Sequence, residues 1–72
     1  MNNLVELEIY LFYETEKAIL VGYDPNDKNN TKWLPKSQVE FEEHSTITPK
    51  STIIRSIILT LPEWLAYKEE LI

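Results

Sequence analysis

The residues best equipped for chemistry lie in one run, Lys32-Trp33-Leu34-Pro35-Lys36-Ser37-Gln38-Val39. An indole flanked by ammonium groups can stack on a nucleic-acid base while the cations hold phosphates. Tyr10, Phe12 or Tyr23 would extend such a platform. The same residues have a plainer reading. Trp33 would cap a core, Pro35 would shape a corner, and Lys32 and Lys36 would be solvated. The first reading makes Lys32, Trp33, Lys36, Gln38, Tyr10 and Phe12 the candidate binding residues.

A second candidate is acidic. Glu40, Glu42 and Glu43, joined by Glu6 and Glu8, could form one negative face. Such a face can imitate phosphates and fill a partner's basic groove through electrostatic complementarity. It can equally be a solvated sheet face that keeps strand edges soluble.

Catalytic groupings are not legible. Ser37, Ser45, Ser51 and Ser56 sit in no nucleophile motif, and His44 has no evident partner. A lone His without Cys cannot build a usual zinc site. Gly22 is the only glycine, which excludes a Gly-rich phosphate loop. No catalytic residue, metal or cofactor is expected. The net charge of −5 argues against broad, non-specific nucleic-acid binding. Locally, Lys28, Lys32 and Lys36 still form a basic stretch with no acid inside it.

These side chains need elements to position them. The period-two recurrence of Val5, Leu7, Ile9 and Leu11 predicts a strand over Leu4 to Tyr13, with Glu6, Glu8, Tyr10 and Phe12 on its other face. Lys17 to Tyr23 reads as a second strand, apolar on both faces and therefore central. The short break at Glu14-Thr15-Glu16 makes the two a hairpin with an irregular turn, because no Asn-Gly or Asp-Gly is present. Gly22 inside the strand marks a bulge or a close backbone approach.

Asp24 to Asn30 is a loop by composition. Its Asn29-Asn30-Thr31 matches a glycosylation sequon, which has no use without secretion. Lys32 to Leu34 is a short strand ended by Pro35, and Pro35 to Gln38 is a tight turn or a single helical turn. Val39 to Glu42 alternates again. His44 to Lys50 reads as a loop containing Pro49. Thr52 to Thr60 is the strongest β segment and looks central. Thr60-Leu61-Pro62-Glu63 matches a capping box, so a helix of about ten residues should follow. Its apolar stripe would run from Leu61 through Trp64 or Leu65 to Lys68 and Leu71-Ile72, with Trp64 and Tyr67 in the core.

Seventy-two residues make a single small domain, in which a chain this short buries only about 60% of its unfolded surface. The absence of cysteine leaves the core to apolar packing alone and fits a reducing compartment. Met1-Asn2-Asn3 does not open a signal peptide, and no apolar run approaches the roughly 20 residues of a membrane helix. The expectation is a cytoplasmic protein with no membrane partner.

Three segments together, Lys17-Ala18-Ile19-Leu20-Val21, Trp33-Leu34-Pro35-Lys36-Ser37-Gln38-Val39 and Leu61-Pro62-Glu63-Trp64-Leu65, resemble a group of small bacteriophage and prophage proteins. That resemblance spans roughly residues 4 to 68. The Asn-rich loop and the Ile-rich last strand depart from the pattern. The group shares no agreed activity, so the resemblance implies only context: an accessory protein of a mobile element in a bacterial host cytoplasm.

The expected fold is mainly β (α+β), with about five short antiparallel strands in a bent sheet or small open barrel and one C-terminal helix. An oligonucleotide-binding-like barrel is one form this could take. The leading function is a non-catalytic accessory module that binds, and could inhibit, a protein partner. The alternative is single-stranded nucleic-acid binding through Trp33, Lys32 and Lys36. Either the N-terminal strand or the Trp33 strand would be an edge, open to homodimer pairing.

Overall fold

A computed structural model describes residues 3–47, 49 and 53–72. It contains β1 (Leu4–Glu14), β2 (Ala18–Gly22), β3 (Lys32–Pro35), a 3-10 turn (Lys36–Gln38), β4 (Glu40–Ile47), β5 (Ile53–Pro62) and α1 (Glu63–Lys68). All strands pair antiparallel in one sheet of order β3-β2-β1-β5-β4. This is the expected mainly-β architecture. The pairs β1–β2, β2–β3 and β4–β5 are sequential neighbours, whereas β1 also pairs with β5 and the β3–β4 link joins two edge strands that run in the same direction.

The two edge strands, β3 and β4, are consecutive in the chain and are joined only by the segment Lys36 to Val39. A flat five-stranded sheet sets its outer strands about 19 Å apart, at about 4.8 Å per step. Five residue steps that include a compact 3-10 turn fall short of that. The sheet must therefore bend. Of the two strands expected at an edge, the Trp33 strand β3 is one, whereas the N-terminal strand is the centre of the sheet. Its period-two pattern pairs it with β2 along one half and β5 along the other.

One face is covered. Ile9, Leu11, Ile19, Val21, Leu34, Ile57, Leu59 and Leu61 are buried there, together with Leu65 and Ala66 of α1 and the following Leu71. Val5, Leu7, Val39 and Phe41 pack at its margin. Tyr23 fastens the C-terminal segment by donating its hydroxyl to the Leu71 carbonyl at 2.8 Å.

Several local expectations change. β4 continues through His44 to Ile47, where a loop was expected, because it keeps register with Ile53 to Thr60. Thr48, Lys50, Ser51 and Thr52, the rest of that expected loop and strand start, lie outside the described residues. Thr60 is no helix cap: the strand runs on through Pro62, which is itself the N-cap without a side-chain bond. The helix is consequently only six residues long. Its buried positions are Leu65 and Ala66, leaving Trp64 and Tyr67 exposed rather than in the core.

Candidate functional site

The open face of the sheet carries the candidate site, and a β-bulge decides its content. Pairing of β1 with β2 shifts between Leu11 and Tyr13, so Phe12 is the extra residue. An extra residue reverses which face the following side chains take. Tyr13 consequently pairs with Leu20, which pairs with Trp33. These three form one row across β1, β2 and β3 on the uncovered side. Tyr13 and Trp33 are 59% and 50% exposed. Their rings meet edge to face with centroids 6.2 Å apart, a favoured aromatic geometry.

Tyr10 pairs with Gly22 in the next row and is half-buried, as is Phe12. Gly22 is the close approach that its lone occurrence foretold. A methyl there would lie 3.0 Å from Phe12 Cε1 and 3.1 Å from the Asn30 carbonyl oxygen.

On the other half of the open face the acids align. Glu6 and Glu40 flank Thr60, and Glu8 and Glu42 flank Ile58. Glu43 does not join them. It has the opposite strand parity and meets Arg55 at 2.7 Å.

The lysines are placed away from the indole. Lys32 pairs with Val21, a buried position of the covered face, so it and Trp33 point to opposite sides. It lines a cleft with Asp24, Asp27, Glu69 and Glu70. Lys36 Nζ meets Glu14 Oε2 at 2.5 Å. Gln38 lies exposed in the 3-10 turn. Of the six sequence candidates, Trp33, Tyr10 and Phe12 share the open face, whereas Lys32, Lys36 and Gln38 are not brought together with them.

Glu14 is the hub of a charge network. It also lies 3.5 Å from Arg55, which continues to Glu43 and thence to Ser45. The Lys36 ammonium, helped by Arg55, holds the Glu14 carboxyl below its usual range. Arg55 and the Ser45 hydroxyl do the same for Glu43, while Glu43 and Glu14 raise the Arg55 guanidinium. The network ties the end of β3 to β5 and β4 across the bend.

The Asn-rich loop is self-supported. Asp24 and Asp27 accept backbone N–H bonds from Asn26 at 2.9 Å and Asn29 at 3.0 Å. The Asn30 amide also bonds Asp27, and these bonds lower the Asp27 pKa. Short polar side chains thus shape turns that lack glycine. His44 is exposed on β4, and no group of three or more metal-binding side chains occurs among the described residues.

Sequence therefore missed Tyr13 and Glu14. The signal for both was the apolar triplet Leu11-Phe12-Tyr13, which breaks the alternation of β1 just past Tyr10, the residue that pairs with Gly22. Compared with known protein families, curated proteins and solved structures, the chain matches none.

Proposed function

We propose that this chain is a non-catalytic accessory module, of the kind mobile elements encode, that binds a protein partner through the open face of its sheet. The observation that carries the reading is the exposed Tyr13–Leu20–Trp33 row beside acidic rows, with Lys32 and Lys36 committed elsewhere. Half-exposed aromatics supply large contact area at small entropy cost and are typical anchors of protein interfaces. A stacking site for single strands needs cations alongside the ring, and here Lys32 faces the other way while Lys36 is ion-paired with Glu14.

The test joins two measurements. Tryptophan fluorescence is titrated with single-stranded DNA and RNA at low and physiological salt, and no salt-dependent quenching is expected. Affinity capture from bacterial lysate should then yield a partner that Tyr13→Ala and Trp33→Ala both lose while circular dichroism stays unchanged. Quenching that vanishes in Trp33→Ala with Lys36→Ala would overturn this reading in favour of nucleic acid.

A further inference from the structure

The registers reveal which backbone groups face outward at the two sheet edges. Glu63 N–H donates to the Asn3 carbonyl, in line with the β1–β5 register. Hydrogen-bonded pairs alternate along an antiparallel ladder. Ile57, Leu59 and Leu61 of β5 therefore bond towards β1, and Ser56, Ile58 and Thr60 bond towards β4. Their partners Glu40, Glu42 and His44 use their backbone groups on β5. Phe41, Glu43, Ser45 and Ile47 are left with N–H and C=O groups pointing away from the sheet.

The same argument at β3 gives a different edge. Lys36 N–H donates to Lys17 in the β2–β3 register, so Trp33 and Pro35 face outward there. That edge spans only four residues, and one of its outward positions is a proline without a donor. It is blunted; β4, with eight residues, is not.

Beyond Tyr10↔Ser56, no described pair joins β1 to β5. The far end of the β4–β5 hairpin is thus a two-stranded ribbon, an arrangement of marginal stability without a third strand. At this end Ile47 is 71% exposed.

We infer that the open edge of β4 accepts an extended segment of a partner protein as an added strand, and that this segment alternates basic and apolar residues. Its backbone would bond Phe41, Glu43, Ser45 and Ile47. Its side chains on the open face would lie beside Glu40 and Glu42, which take part in no ion pair among the described residues. Those on the covered side would lie beside half-buried Phe41 and exposed Ile47. Pocket alternation of this kind is how strand addition obtains specificity. Acids on the edge disfavour a second copy, whose β4 carries the same negative charge, and favour a basic strand. The inference rests on the reading of the chain as a protein-binding module but names a surface separate from the Trp33 face.

The experiment uses the full chain, isotope-labelled, titrated with an acetylated and amidated heptapeptide of alternating lysine and valine. Amide shifts should concentrate at Phe41, Glu43, Ser45 and Ile47. Methylating alternate peptide nitrogens should abolish binding in one of the two phases only, because one edge of the added strand bonds the protein. Ser45→Pro removes an outward donor and should weaken binding about tenfold. Glu40→Lys with Glu42→Lys should exchange preference to an alternating glutamate–valine peptide, which covers the case where Ser45→Pro fails to fold. Trp33→Ala should leave peptide binding unchanged, which separates this surface from the one proposed above. Absence of binding, indifference to both methylation phases, shifts centred on Tyr13 and Trp33, or self-association through β4 would each overturn the inference.

Discussion

Replacing Gly22 with alanine tests the bulge that builds the open face. Two effects oppose each other. The substitution restricts the unfolded chain, which stabilises by about 0.4–1 kcal/mol where the native backbone suits alanine. It does suit it, because Gly22 has no positive φ. Against this, the new methyl meets Phe12 Cε1 at 3.0 Å, the Asn30 carbonyl oxygen at 3.1 Å and Thr31 Cγ2 at 3.2 Å. Carbon pairs prefer about 3.5–4.0 Å, so the two carbon neighbours must move by several tenths of an ångström. One remaining neighbour is backbone and does not swing aside as a side-chain end does. Overpacking of this sort costs about 1–3 kcal/mol.

Steric crowding wins, and the net effect should be a destabilisation of about 1–2 kcal/mol. In a domain this size that lowers Tm by roughly 4–16 °C. Urea unfolding followed by circular dichroism reads it directly. Phe12→Leu supplies the internal control. If the Phe12 ring is the obstacle, Gly22→Ala should cost at least about 0.5 kcal/mol less in the Phe12→Leu background. Equal costs in both backgrounds, or a Gly22→Ala protein more stable than its parent, would refute the placement of Phe12 over Gly22.

Two further outcomes follow from the same geometry. Glu70 adopts φ 57° after α1, where Glu70 N–H bonds Tyr67 and Leu71 N–H bonds Ala66 in a Schellman arrangement; Glu70→Gly should stabilise by about 1 kcal/mol in urea unfolding, and a loss of stability would count against that C-terminus. Glu14 and Glu43 have folded pKa values below their unfolded ones, so their contribution is present above the unfolded carboxylate range and is lost as pH falls through the folded values. The pairs are exposed and salt-screened, so the effect should be modest, smaller at high salt, and reduced in Glu14→Gln and Glu43→Gln; an unchanged pH slope in both variants would contradict the network.

Much of the fold was legible because the strands obey simple rules. The alternation Val5-Leu7-Ile9-Leu11 and the Ile-rich run of β5 each face one core, and both are found as strands in one sheet. What failed were rules whose inputs are local where the decision is tertiary. The capping box at Thr60 lost to strand pairing with Glu6, because a ladder of paired residues outweighs one side-chain cap. Trp64 and Tyr67 moved to the surface when the helix began at Glu63 rather than near Thr60, since shifting the start of a helix rotates its buried stripe. At the site, the sequence pointed to Trp33 but set Lys32 beside it. Neighbours in a strand face opposite ways, so adjacency in sequence was the wrong guide. Tyr13 and Glu14 were hidden for the complementary reason: one extra residue at Phe12 exchanged their faces.

The two edges of the sheet make the strongest argument about how this molecule meets others. Sheet edges are hazards, and β3 shows the usual remedies of brevity and a proline at an outward position. β4 shows neither. Its eight residues instead carry Glu40, Glu42 and Glu43. Proline closes an edge to every strand, whereas like charge closes it only to strands of the same sign. Arg55 neutralises Glu43 on the covered side, while Glu40 and Glu42 keep their charge on the open side, beside Glu6 and Glu8 across β5. On the proposed reading, an edge guarded by charge alone stays selective, and what it selects is a basic strand.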